Sequence, residues 1–277
     1  MEILTQDLLN KVIQKRDPLG HKGTFGKVLV IGGNKDMGGA AIMSASAAVH
    51  AGSGLVTCAT ASQNRSALHA IIPEAMFVDF TDKKSLLQAL KNADVTVIGP
   101  GLGLDEQALA ILDLTLESLT KDQTLIIDGS AITLVATKED FKKPDCNIIY
   151  TPHQAEWQRL SKIEIAKQSP KKNQTVQQKL DATIVLKKHH TEIYHKDQMI
   201  SKLEIGGPYM ATGGMGDTLT GILAAFIGQF KNVSFTQVVD AAVYTHSAVA
   251  EKLSKTHYVV LPTDIISSLQ SFMVQFS

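Results

Sequence analysis

Lys27-Val28-Leu29-Val30-Ile31 runs directly into Gly32-Gly33-Asn34-Lys35-Asp36-Met37-Gly38-Gly39-Ala40, and this passage decides the fold class. A short apolar run rich in β-branched residues reads as a buried strand. The loop behind it is dense in glycine, so it either turns sharply or hugs a ligand. Residues 40–51, full of Ala and Ser, read as a helix whose small side chains permit close approach to a sheet. Similar runs recur at 54–59, 95–98, 124–127, 147–150 and 183–186, with helical segments between them. Such alternation predicts an α/β protein with a mainly parallel central sheet covered on both faces. Residues 191–195 and 198–202 flank a Lys196-Asp197 turn and read as a hairpin. Long helices are expected at 217–230 and 235–253, and a last one from Thr263. The polar stretch 161–178 reads as a mobile surface excursion, and no internal repeat is visible.

With 277 residues, 44% of them hydrophobic, the chain suits one large domain, 1–277. The 27 basic and 27 acidic residues give a formal net charge of +0. No global field therefore draws the protein to nucleic acid or to a membrane surface, and any anion must be held locally. Cys58 and Cys146 lie far apart without CxxC spacing and read as buried free thiols. The start lacks a basic segment followed by an apolar core, and no run of about 18 apolar residues occurs. The expectation is a soluble cytoplasmic protein that binds neither nucleic acid nor membrane.

Ligands of an open α/β sheet bind outside the carboxyl ends of its strands, so the residues after each strand carry the chemistry. After 95–98 comes Gly99-Pro100-Gly101-Leu102-Gly103, where missing side chains would let a planar or phosphorylated ligand reach the backbone. After 124–127 comes Asp128, either a helix cap or a ligand contact. After 147–150, Thr151 reads as a cap with Pro152 at the first helical position. His153 and Glu156 then share a face near the start of that helix. After 183–186 comes the cationic Lys187-Lys188-His189-His190-Thr191, either a ligand site or a solvated cluster. Its adjacent histidines are poor evidence for metal, because chain neighbours point apart.

The richest stretch is Gly206-Gly207-Pro208-Tyr209-Met210-Ala211-Thr212-Gly213-Gly214-Met215-Gly216-Asp217-Thr218. Gly213, Gly214, Met215 and Gly216 read as an anion cradle at a helix N-terminus, where free amides and the helix dipole favour negative charge. A Cβ on Gly214 is expected to intrude on the bound anion. Asp217 reads as a base in the first helical turn, or as a simple cap. A cradle, cations and a base are what phosphoryl transfer needs.

His21-Lys22-Gly23-Thr24-Phe25-Gly26-Lys27, Gly99 to Gly103, Thr151-Pro152-His153, and Met210 to Asp217 with Leu219-Thr220-Gly221 resemble, in this order, the ADP- or ATP-dependent NAD(P)H-hydrate dehydratases. The resemblance runs from about Leu9 to Asp264. It implies a three-layer α/β/α sandwich of the ribokinase-like kind, and a lyase that repairs the S epimer of hydrated NADH or NADPH. In that family ADP or ATP phosphorylates the ring hydroxyl, and elimination of phosphate restores the double bond. By motif, Ala40, Gly103, His153 and Asp217 match the hydrate contacts. Lys187, Lys188, His189, His190, Thr191 and Gly216 match the nucleotide contacts. Mg²⁺ is implied, with Glu156 as an indirect anchor.

Four departures stand out. Gly206-Gly207-Pro208-Tyr209 replaces the family's Gly-Asn-Pro-Gly, Met215 replaces Ser, Asp128-Gly129-Ser130 replaces Asp-Ala-Asp, and His153-Gln154-Ala155-Glu156 replaces His-Pro-Gly-Glu. The change at Met215 spares a loop that works through its amides, whereas those at Gly207 and Ser130 bear on substrate affinity. No epimerase domain is expected, so a separate epimerase would interconvert the epimers. The Ala- and Val-rich face of residues 238–250 serves as core or as the interface of a homo-oligomer. The alternative is a ribokinase-like kinase of a small alcohol or vitamin precursor, whose product would keep the phosphate.

Overall fold

Alternate residues of the strand Lys27–Ile31 point to opposite faces: Val28 and Val30 join one apolar cluster, Leu29 and Ile31 another. The computed structural model describes residues 1–138 and 141–277. Its strands are β1 (Glu2–Ile3), β2 (Lys27–Ile31), β3 (Leu55–Thr60), β4 (Met76–Asp79), β5 (Val95–Ile98), β6 (Thr124–Ile127), β7 (Asn147–Tyr150), β8 (Thr183–Leu186), β9 (Glu192–Tyr194) and β10 (Ile200–Lys202). The helices are α1 (Asp7–Val12), α2 (Gly38–His50), α3 (Arg65–Ile71), α4 (Lys83–Asn92), α5 (Glu106–Ser118), α6 (Gly129–Thr137), α7 (Gln154–Ser161), α8 (Pro170–Leu180), α9 (Met215–Gln229), α10 (Phe235–Ser254) and α11 (Pro262–Met273).

The strands form one sheet in the order β1-β10-β9-β8-β7-β6-β5-β2-β3-β4. All neighbours run parallel except β9, which is antiparallel to both β8 and β10. Helices α1, α2, α9, α10 and α11 pack against one face through residues such as Val30, Val97 and Ile126. Helices α4 to α7 pack against the other through Leu29, Ile98 and Leu125. The result is the expected three-layer sandwich. The apolar residues of 238–250 lie largely in the core of the chain itself. Among the described residues no helix is long and apolar enough to cross a membrane.

Helices α2 and α9 touch backbone to backbone. A Cβ on Gly221 would lie 2.1 Å from the Ser44 carbonyl oxygen, and Ser44 Oγ and Thr220 Oγ1 share a 3.0 Å hydrogen bond. The Ala and Ser content of α2 is therefore what lets two helices share one side of the sheet.

Several expectations need correction. The stretch 161–178 is not a free excursion, because it carries a 3-10 turn at Ile165–Lys167 and most of α8. Asn173 is buried there, accepting from Trp157 Nε1 at 2.9 Å and donating to Tyr194 Oη at 3.1 Å. Burial pushes the Cys58 thiol up to about 12, as expected of an inert core thiol. Cys146, however, is only partly buried. Helix α9 starts two residues before Asp217, because Gly214 at φ +95° turns the chain into it.

Candidate active site

The chain leaves β4 and re-enters the sheet at β5 on the far side of β2, so the order of strand addition reverses between β2 and β5. A crevice opens at the carboxyl end of such a switch point. The loops after these two strands bond to each other: the Gly33 and Asn34 amides donate to the Pro100 and Gly101 carbonyls, both at 2.7 Å. Gly99, at φ +123°, has no room for a side chain because a Cβ would lie 1.8 Å from the Asp128 carbonyl oxygen. Gly99 therefore serves loop-on-loop packing. Ala40 sits in the first turn of α2 beside Gly101, and the Gly103 amide donates to Ser130 Oγ at 3.2 Å.

Asp217 lies in the first turn of α9. Burial, and then the charge of Asp128, push its carboxyl up to about 6; Lys187 pulls the other way, and Glu156 adds to the rise. An acid held near neutrality beside a cation is suited to accept a proton at physiological pH. No side chain caps α9, so its first amides remain free for an anion. Asp217 itself makes no capping hydrogen bond.

Lys187 follows β8, and its amide donates to the Pro152 carbonyl at 2.8 Å, tying it to the segment after β7. Its Nζ donates to Asp128 Oδ1 at 2.7 Å. Burial opposes its charge, yet Asp128 and Glu156, with a smaller part from Asp217, hold the ammonium above the ordinary lysine range. Asp128 also accepts from Thr151 Oγ1 at 2.6 Å and bonds to no helix amide, so it does not act as a cap. The cap was one of its two open readings in the sequence; its partners come from strands distant in the chain.

His153, not Thr151, starts α7. Its Nδ1 accepts from the Ala155 and Glu156 amides, while Glu156 Oε2 accepts from the His153 amide at 2.8 Å. The imidazole still shows half its surface to solvent, with side-chain exposure of 52%. Burial pushes the Glu156 carboxyl above its ordinary range, against the pull of Lys187.

Lys187, Lys188, His189, His190, Thr191, Met215 and Gly216 line one cleft of about 400 Å³, floored by the apolar Leu219 and Val243. Lys188 is tethered to Glu192 at 2.6 Å. His189 and His190 stack with ring centroids 4.0 Å apart, contrary to the expectation that they diverge, because His190 adopts φ +61°. No group of three metal-ligating side chains converges among the described residues. Glu251 accepts from the Gly206 amide at 3.0 Å and from Tyr209 Oη at 2.7 Å, anchoring the segment that departs from the family motif at Gly207.

His246 is a cleft residue that sequence reasoning missed. Burial and then Lys187 push it down to about 4, against a smaller pull from the Met215 backbone, so it is neutral at physiological pH. Its place inside an apolar helix gave no signal.

A family model described as NAD(P)H-hydrate dehydratase matches residues 28–271. The ADP-dependent (S)-NAD(P)H-hydrate dehydratase of Lactiplantibacillus plantarum is 46% identical over 277 residues, covering 100% of this chain and 98% of that protein. A ribokinase-like superfamily protein from Enterococcus faecalis has a TM-score of 0.96 at 45% identity, covering 100% of this chain and 96% of that one. The ADP/ATP-dependent NAD(P)H-hydrate dehydratase of Bacillus subtilis, co-crystallised with ATP and Mg²⁺, has a TM-score of 0.87 at 26% identity, covering 100% and 99%.

Proposed function

We propose, because the chain belongs to the NAD(P)H-hydrate dehydratase family, that it returns the S epimer of hydrated NADH or NADPH to the reduced dinucleotide at the expense of ADP or ATP. One observation carries the mechanism: Asp217, with its carboxyl near 6, stands in the first turn of α9 beside free helix amides and the Lys187 ammonium. Asp217 takes the proton of the ring hydroxyl as that oxygen attacks the terminal phosphorus of the nucleotide. The phosphorus–oxygen bond to the leaving nucleotide breaks, and the cradle amides from Gly213 to Gly216, with Lys187, hold the transferring oxygens. The ring nitrogen lone pair then expels phosphate from carbon six, and loss of the neighbouring proton restores the double bond. No electron is transferred to or from the protein.

The placement of ligands follows the same logic. The adenine nucleotide occupies the cleft of Lys187 to Thr191 and Gly216, and the hydrate lies toward Ala40, Gly103 and His153. Mg²⁺ keeps several waters and is usually held by one or two carboxylates plus substrate phosphates. A site with Asp217, Asp128 and Glu156 close by, and no cage of three ligands among the described residues, fits that mode. Glu156 would hold the ion indirectly, through water, and the ion would neutralise phosphate charge. A separate epimerase supplies the S epimer from its partner.

Mixing the protein with hydrate, Mg²⁺ and either ADP or ATP tests this reading. Absorbance at the reduced-nicotinamide band should return with release of inorganic phosphate. A stable phosphorylated product without that absorbance would make the protein a kinase instead.

A further inference from the structure

Asp128 occupies the position of a helix cap yet makes no capping bond. Its carboxylate, in a residue only 3% exposed, is committed sideways: Oδ1 accepts from both Thr151 Oγ1 and Lys187 Nζ. A Cβ placed on Gly216 would lie 3.7 Å from Asp128 Oδ2 and 3.0 Å from Lys187 Nζ. The pair therefore borders the anion cradle. Buried ion pairs of this kind gain little net stability, since desolvation offsets their attraction. Stability alone does not account for one at the mouth of the cleft.

We propose that Asp128 is a positioning residue of the reaction, holding the Lys187 ammonium beside Gly216 where the transferring phosphoryl group enters. The proposal rests on the phosphoryl-transfer reading above. Without Asp128, the lysine side chain has several rotatable bonds and no fixed direction. With it, the cation is in place before the nucleotide arrives, so little reorganisation accompanies the developing charge.

Substituting Asp128→Asn leaves the Lys187 ammonium without its carboxylate partner while Thr151 keeps a hydrogen-bonding neighbour.

The test compares the Lys187 ammonium resonance of ligand-free wild type and Asp128→Asn by NMR, followed by kinetics. We expect the resonance to lose its protection from exchange in the variant, with kcat down about tenfold or more and the hydrate KM within about threefold. A resonance still protected in the variant or an unchanged kcat overturns the proposal. Should Asp128→Asn fail to fold, the Lys187 ammonium resonance of the wild type decides. It should be protected from exchange and should shift when ADP is added; free exchange or indifference to ADP overturns the proposal. Because the Lys187 resonance needs no substrate, failure of the dehydratase reading would show separately, as absent hydrate turnover.

Discussion

Gly213 and Gly214 are adjacent in the chain but face opposite surroundings: a Cβ on Gly213 would meet nothing within 4 Å, whereas one on Gly214 would lie 2.5 Å from Met43 Sδ. The open position is thus Gly213, and the sequence-based expectation that a Cβ on Gly214 would intrude on the anion does not hold. Gly213→Ala should keep its thermal midpoint and lose most of the stabilisation that ADP confers. Gly214→Ala, at φ +95°, should lose on the order of 1 kcal/mol or more of stability before any ligand is added. Differential scanning with and without ADP reads both, and full ADP stabilisation in Gly213→Ala would reject the cradle.

Asp217→Asn should lose ~10² to 10⁴ in turnover while folding more stably at neutral pH. The folded carboxyl is raised from 3.8 to about 6, so ionising it as pH climbs through that window opposes folding. The penalty is absent at lower pH and complete above about 6. Replacing the acid should restore on the order of 1–3 kcal/mol at pH 8 and almost nothing at pH 3.5. In the wild type, turnover should fall as pH drops below about 6. A variant no more stable than wild type at pH 8 would show that Asp217 is not strained by burial.

His153 combines a cap with a half-exposed ring, and two substitutions separate the roles. Asn is a favoured N-cap, so His153→Asn should preserve unfolding behaviour, while His153→Ala should cost roughly 1 kcal/mol. Both should weaken hydrate binding by more than nucleotide binding. If His153→Asn binds hydrate normally in calorimetry, the residue is only a cap.

Asn173→Leu should destabilise the chain by about 2–4 kcal/mol, since the buried indole of Trp157 and the Tyr194 hydroxyl lose a shared partner. Urea unfolding followed by fluorescence suits the test, because the sequence contains 1 tryptophan. An unchanged midpoint would mean that water replaces the amide.

Strands β2, β5, β6, β7 and β8 were legible residue by residue because central parallel strands are buried on both faces and read as unbroken apolar runs. The edge strands β1 and β4 were not, since Glu2–Ile3 is exposed and Met76–Asp79 only half-buried, leaving no pattern to read. The residues from Lys187 to Thr191 drew notice because they end a strand, and they do line a cleft. The partnership of Lys187 with Asp128 spans 59 positions, a separation that no local spacing reveals. His153 illustrates another limit: histidine is an uncommon cap, so Thr151 looked the better start for α7.

The contact of Gly221 with the Ser44 carbonyl has a bearing on how this protein can change. Helices α2 and α9 begin at Ala40's turn and at Asp217's turn, and they lie so close at Gly221 that any side chain there would strike the Ser44 carbonyl. A larger residue at Gly221 would prise the pair apart, so drift in sequence is barred from this contact. The span between the proposed acceptor and its base is therefore the most inheritable dimension of the molecule. A descendant adapting to a bulkier ring would have to carve its space from the loops behind β5 and β7, leaving the helical pair as it stands.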